Sequence, residues 1–184
     1  VTICFNKCDL VSEEEKENLQ KIYAPAGYDI LFTSVKTGEN IDRLKALLAE
    51  KTTTVAGPSG VGKSSLINEL QTDVRMQTGA ISDKIGRGKH TTRHSEIISI
   101  GQDTYIMDTP GFSSMDLPGF EKEDLWTCYP EFVPYEPECR FIGCSHIGEP
   151  DCGVKNALAE GKISRVRYDN YVMLYDEMKN IRKY

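Results

Sequence analysis

Gly57-Pro58-Ser59-Gly60-Val61-Gly62-Lys63-Ser64 fits GxxxxGK[ST] at every fixed position, between a β-branched run and a helix-like run. Such residues bind phosphate. Glycines let backbone N–H groups approach phosphate oxygens, and the helix N-terminus adds its positive end. Lys63 can reach the β- and γ-phosphates, the Ser64 hydroxyl can ligate Mg²⁺, and Ser65 continues the same helix start. A glycine-rich turn that binds nothing is the bland alternative, and the strand–loop–helix context argues against it. Asp108 ends a later apolar strand, where a carboxylate can reach Mg²⁺ directly or through water. Gly111 follows in DxxG spacing, with its N–H available to a γ-phosphate. Alone, Asp108-Thr109-Pro110-Gly111 would read as a turn; downstream of a phosphate loop the metal role is preferred.

Asn6-Lys7-Cys8-Asp9 suits guanine. Guanine presents two donors on one edge, N1–H and the 2-amino group, and a carboxylate accepts both. Adenine would leave the carboxylate unpaired, a mismatch that costs several powers of ten. Asp9 is the acceptor in this scheme, Lys7 lies along the base, and Asn6 ties its loop to the phosphate loop. Ser34, Val35 and Lys36, in Ser34-Val35-Lys36-Thr37-Gly38, stand where a further base-contacting loop is needed. Between Lys63 and Asp108, Gly88-Lys89-His90-Thr91-Thr92-Arg93 offers Thr91 or Thr92 as a Mg²⁺ ligand that senses the γ-phosphate. The residue after DTPG is Phe112, which cannot hold water by a hydrogen bond. His90 is the nearest candidate to position the attacking water. The alternative for the wider segment Ile81–His94 is a solvated basic loop carrying Lys84, Arg87, Lys89 and Arg93.

A second constellation is Cys139-x4-Cys144-x-His146-x5-Cys152. Three thiolates and an imidazole suit a closed tetrahedral zinc site of the structural type. An iron–sulfur cluster is the weaker option, because a lone histidine ligand is uncommon there. Cys128 reads as core.

The elements that must position these residues alternate. Strands are expected at Val1–Phe5, Asp29–Ser34 and Thr52–Ala56, and helices at Ser12–Tyr23, Asn40–Lys51 and Lys63–Leu70. Glu96–Ile100 and Thr104–Asp108 read as a hairpin turning at Gly101-Gln102-Asp103. The sum is an α/β protein with a mostly parallel sheet covered on both faces. Beyond Met115 come prolines, aromatics and acids, a helix candidate at Glu121–Cys128, the cysteine cluster, and a long helix over Arg165–Arg182. Its apolar face is expected to use Val166, Tyr168, Val172, Leu174, Tyr175 and Met178. A boundary near Leu117 divides residues 1–117, holding the nucleotide motifs, from residues 118–184, a zinc-binding, mostly helical domain.

Composition bounds the rest. The 184 residues are 39% hydrophobic and 27% charged, ordinary for a soluble globular chain. No apolar run approaches the roughly 18 residues of a membrane span. A net charge of −6 does not advertise nucleic acid, so an RNA partner must meet a local basic patch. Scattered and clustered cysteines in a nucleotide-binding chain favour a reducing cytosol over a disulfide framework. Residue 1 is Val and already in a strand, which suggests a start inside a longer protein.

The order of the motifs is unusual. Ordinary GTPases run phosphate loop, switch threonine, DxxG, NKxD; here NKCD comes first, which is a circular permutation. With SVKTGEN, GPSGVGKSSLIN, GRGKHTTRH, DTPGF, YPEF and the cysteine–histidine cluster in sequence, essentially the whole chain resembles the YjeQ-type family of bacterial small-subunit-dependent GTPases. The resemblance implies a permuted P-loop GTPase sheet, GTP hydrolysis stimulated by the ribosome, action late in 30S assembly, rRNA contact and a cytoplasmic location. It also implies an N-terminal OB-fold domain that this sequence lacks. The implied ligands are GTP or GDP, Mg²⁺ and structural Zn²⁺; a monomer with no membrane partner is expected. Two rivals stay open: a nucleotide-gated RNA-binding module in which hydrolysis is incidental, and a permuted GTPase with another ribosomal client. A P-loop kinase is disfavoured by NKCD.

Overall fold

The computed structural model describes residues 1–78, 96–108 and 121–180. The elements are β1 (Thr2–Phe5), α1 (Glu13–Tyr23), β2 (Asp29–Phe32), α2 (Ile41–Leu48), β3 (Thr52–Val55), α3 (Lys63–Thr78), β4 (Glu96–Gly101), β5 (Thr104–Asp108), α4 (Gly153–Ala159) and α5 (Arg165–Asn180). β1 pairs with β2, and β3, β5 and β4 form a separate three-stranded sheet in that order. β3 and β5 are parallel, whereas β4 and β5 form the antiparallel hairpin. The one mostly parallel sheet expected from the alternation is therefore present as two pieces among the described residues.

Two compact units emerge. One consists of Cys4–Ser12 and Leu31–Met115. Its core joins Ile41 and Leu48 of α2, Ile67 and Leu70 of α3, Ile98 and Ile100 of β4, and Ile106 of β5. The strand period of two places Ile98 and Ile100 inward while Ile97 is exposed. α3 continues past Leu70 to Thr78, because no glycine or proline interrupts Ser64–Thr78. The hairpin turns where the sequence places it, with Asp103 left-handed at φ 51 and a register irregularity between Ser99 and Gly101.

The other unit gathers Val1–Ile3, Glu13–Ile30 and Asp116–Tyr184. Thus α1, which sequence places with residues 1–117, groups with the C-terminal elements. Its core is aromatic: Tyr129, Phe132, Tyr168 and Tyr171 pack with Leu125, Val154, Ala157 and Ile163. Phe132 is fully buried, and burying such a side chain contributes about 1.5–3 kcal/mol. Lys122–Cys128 is a 3₁₀ helix, and Leu125, not Cys128, is its buried residue; Cys128 is exposed. The buried face of α5 is Tyr168, Tyr171, Val172, Tyr175 and Met178, spaced at three and four residues. Val166 and Leu174 fall off that stripe and are exposed.

Candidate functional site

The phosphate loop lies between β3 and α3. Registry of Val55 with Asp108 sets the end of β5 beside the strand that feeds the loop, and Asp108 is buried there. The Lys63 ammonium turns back into its own loop, donating to Gly57 O at 2.6 Å and Pro58 O at 2.9 Å. A nucleotide phosphate must offer oxygens in exchange for these carbonyls. Ser64 and Ser65 are exposed at the start of α3, and Ser59, Gly60 and Val61 form the exposed rim.

The loop after β1 comes to the phosphate loop. Asn6 Nδ2 donates to Val61 O at 3.0 Å, and Lys7 Nζ donates to Gly60 O at 2.8 Å. Lys7 adopts a left-handed φ of 63, uncommon for a lysine, which directs the chain into the short 3₁₀ turn Cys8–Leu10 that carries Asp9. Gly62 sits under Asn6 with φ 95, and a Cβ there would collide with Asn6 Nδ2. Only glycine accommodates both the backbone and the approach.

Backbone pairing continues beyond the strands: Thr33 N donates to Phe5 O at 2.8 Å and Cys8 N to Thr33 O at 3.0 Å. This holds Ser34-Val35-Lys36 against Asp9. Ser34 Oγ donates to Asp9 Oδ1 at 2.7 Å, and Thr37 N donates to Ser34 Oγ at 3.2 Å. Lys36 Nζ stands 3.6 Å from Asp9 Oδ2. The Ser34 hydrogen bond, outweighing partial desolvation and helped by Lys36, holds the Asp9 carboxyl below the usual carboxylate range. Val35 packs toward the α2–α3 core. One contributor escaped sequence reading: buried Thr33 donates its hydroxyl to Asn6 Oδ1 at 3.4 Å. Its only sequence signal is a β-branched polar residue at the end of an apolar strand. His90, Thr91, Thr92, Gly111 and Phe112 lie outside the described residues.

In the other unit, one ligand atom from each of Cys139, Cys144, His146 and Cys152 lies within 4.8 Å of the others. The Cys139 and Cys152 sulfurs are 3.8 Å apart, and each is 3.5 Å from His146 Nδ1. A tetrahedral ion with metal–sulfur bonds of about 2.3 Å has S···S edges of about 3.8 Å and S···N edges of about 3.5 Å. The four residues fit a closed metal site, with Nδ1 facing the sulfurs. Nε2 is buried with no hydrogen-bond partner among the described residues.

Local sequence builds this knuckle. Gly143 and His146 take φ of 72 and 59 around Cys144, and His146 N donates to Cys144 Sγ at 3.4 Å. Gly153 follows the last cysteine because a Cβ there would strike Tyr135 O. Tyr168 and Tyr171 donate their hydroxyls to the carbonyls of His146 and Ser145, each at 2.7 Å. Glu149 accepts from Ser145 N and Ser145 Oγ, both at 2.9 Å, and from Ile147 N at 3.3 Å. Burial alone would raise the Glu149 carboxyl, but these donors outweigh it and hold it at about 2. Burial pushes the Cys144 thiol up to about 12 and lowers the His146 imidazole, each disfavouring the charged form in the absence of a cation. α4, Glu149 and Tyr171 carried no motif and were missed from sequence.

Residues 1–118 match the family model described as RsgA GTPase. The chain belongs to the RsgA GTPase family. It is 73% identical over its full length to the small ribosomal subunit biogenesis GTPase RsgA of Agathobacter rectalis, covering 61% of that protein. With the Clostridium perfringens protein of that name it shares 47% identity over 98% of its length, covering 62% of the relative. The chain thus spans about three fifths of the length of these curated RsgA relatives. Among solved structures, YjeQ from Thermotoga maritima superposes with a TM-score of 0.74 at 35% identity, over 98% of this chain and 60% of that one. YloQ, described as a circularly permuted GTPase, superposes with a TM-score of 0.72 at 31% identity, over all of this chain and 58% of that one. The α/β fold here is therefore the permuted P-loop GTPase fold of the RsgA family, followed by a mostly helical C-terminal region with a cluster able to hold a metal. Among the described residues no helix is long and apolar enough to cross a membrane.

Proposed function

We propose that this chain is the nucleotide-binding and metal-binding part of a GTPase acting in maturation of the small ribosomal subunit, with hydrolysis stimulated by the particle. The observation that carries the nucleotide half is the docking of Asn6 and Lys7 on Val61 and Gly60, which puts a guanine-reading carboxylate and a phosphate cradle in one site. The biogenesis role rests on the relatives' names. In the same proposal the protein works in the cytoplasm as a monomer that meets GTP or GDP and rRNA, and its two parts divide near Leu117.

In this scheme Asp9 accepts guanine N1–H and the 2-amino group while Ser34 and Lys36 keep it ionised. Lys63 moves its donors from the Gly57 and Pro58 carbonyls to the β- and γ-phosphates. Ser64, Asp108 and Thr91 or Thr92 are the proposed Mg²⁺ ligands; the ion supplies charge neutralisation on the phosphates. Gly111 N–H meets the γ-phosphate, and His90 orients water. Cys139, Cys144, His146 and Cys152 would hold a zinc ion, which would supply a structural cross-link between the four side chains.

The test compares GTP hydrolysis alone, with purified small subunits and with large subunits. Stimulation by small subunits only is expected. Equal stimulation by large subunits points to another ribosomal client. RNA release on GDP exchange without any stimulation would instead identify a nucleotide-gated binding module.

A further inference from the structure

The YPEF segment, Tyr129–Phe132, is none of the nucleotide motifs, yet Tyr129, Glu131 and Phe132 are buried in the C-terminal unit. The Glu131 side chain is only 3% exposed and holds Arg167 by two bonds, Nε to Oε1 at 2.7 Å and Nη2 to Oε2 at 3.2 Å. The guanidinium lies 4.6 Å from the Tyr129 ring centroid and 5.7 Å from that of Tyr23. Tyr23 is the last residue of α1. Well-packed apolar groups would stabilise such a place as well as a buried ion pair does. What the planar fork adds is direction: bidentate contact with Glu131 fixes the guanidinium in its place over the Tyr129 and Tyr23 rings.

The residues beside Arg167 on α5 hold the cysteine–histidine knuckle. Tyr168 and Tyr171 bind the carbonyls of His146 and Ser145, and Phe132 of the same YPEF segment meets the His146 ring edge-on with centroids 6.0 Å apart. One helix thus grips the knuckle by its tyrosines and α1 by its arginine. By chain order α1 begins just after Asp9, at Glu13.

We propose that Arg167 is a positioning residue that makes the order of α1, the helix leading out of the guanine-reading loop, depend on metal occupancy of the Cys139–Cys144–His146–Cys152 cluster. The inference rests on the metal reading given above. Loss of the ion frees the knuckle carbonyls to shift, α5 follows through Tyr168 and Tyr171, and the Arg167–Tyr23 contact loosens.

Amide hydrogen exchange over residues 13–23 tests it, on zinc-loaded and EDTA-stripped protein, with zinc content measured in parallel and α3 as the control for global unfolding. In the wild type, stripping is expected to raise α1 exchange about tenfold while α3 is unchanged. Arg167→Met is expected to exchange as fast with zinc bound. Because Arg167→Met leaves Glu131 buried without its partner and can unfold the unit, Tyr23→Leu decides. It leaves the Arg167–Glu131 pair intact and takes away the α1 ring that meets the guanidinium, so α1 should already exchange fast with zinc retained, and stripping should add less than about twofold. Tyr23→Leu protein with full α1 protection, or with the same response to stripping as wild type, overturns the coupling. Wild-type protein that binds zinc but keeps α1 protected after stripping also overturns it. Wild-type protein that binds no zinc fails the metal reading itself, and the coupling with it.

Discussion

The Ser34 hydroxyl donates a hydrogen bond to Asp9 Oδ1 at 2.7 Å and in turn accepts one from Thr37 N at 3.2 Å. These two bonds fix the direction of the carboxylate that is proposed to read the base. GDP is expected to bind far more tightly than ADP. Asp9→Asn should weaken guanine and favour xanthine, which presents a carbonyl where guanine has its amino group. Ser34→Ala should cost about tenfold in GDP affinity, the scale of one hydrogen bond to a charged group. The sign with pH follows from the lowered Asp9 carboxyl: guanine binding depends on the ionised form, so it persists below the usual aspartate range near 4 and is lost only on further acidification. Ser34→Ala should move that loss to higher pH. Calorimetry across pH checks this; equal affinity for GDP and ADP removes the guanine assignment.

Gly62 permits the docking of the two loops. Its φ of 95 and the Asn6 carboxamide over its α-carbon leave no place for a methyl group. Gly62→Ala is expected to abolish detectable GDP binding while leaving zinc content and the exchange protection of α5 unchanged. A variant that binds GDP normally would show that Asn6 and the phosphate loop need not meet.

The nucleotide motifs were legible in sequence because each uses residues that nothing else at those places requires: two glycines, a lysine and a serine in fixed spacing, then a carboxylate at a strand end. The cluster was legible for the same reason, since Cys139, Cys144, His146 and Cys152 are close in sequence as well as in space. What orients these side chains was not. Thr33 reaches Asn6 across 27 positions, Tyr168 reaches His146 across 22, and Arg167 reaches Glu131 across 36. No local pattern encodes such pairs. The stripe on α5 was misjudged because Val166 and Leu174 are apolar yet off the face that Tyr171 dominates. The grouping of α1 with the C-terminal elements follows from side chains such as Tyr23, whose partner Arg167 lies far along the chain.

Zinc binding should release protons. With the Cys144 thiol pushed up to about 12 and the Cys152 thiol also raised by burial, these two thiols carry their protons at neutral pH when no ion is bound. Metal needs thiolates, so zinc uptake displaces protons and its affinity falls as pH falls. Titrations in buffers of different ionisation enthalpy should show this release, with about one zinc per chain. Cys144→Ser is expected to lose the metal and to lower the stability of residues 121–180 while GDP binding is largely kept. Metal-free wild type with an unchanged melting curve would exclude a structural ion.

Hydrolysis is the step most dependent on residues known from sequence alone. Phe112 follows DTPG and offers water no hydrogen bond, whereas His90 adjoins Thr91 and Thr92, the candidates for Mg²⁺ contact. A neutral imidazole there can orient the attacking water once the switch threonine has met the ion. Turnover by the free protein is expected to be slow, and Lys84, Arg87, Lys89 and Arg93 offer rRNA phosphates the basic side chains by which the particle can hold His90 at its task. His90→Ala should therefore remove most of the particle-stimulated rate, on the order of 10²-fold for a lost general base or water-positioning group. Its GTP affinity and small-subunit binding should stay near wild type. Lys63→Ala differs, because the ammonium that now bonds Gly57 O and Pro58 O is also the proposed phosphate ligand, and nucleotide affinity should fall with the rate. Single-turnover rates with saturating small subunits separate the two. A stimulated His90→Ala rate equal to wild type would assign the water to another protein group or to the particle itself.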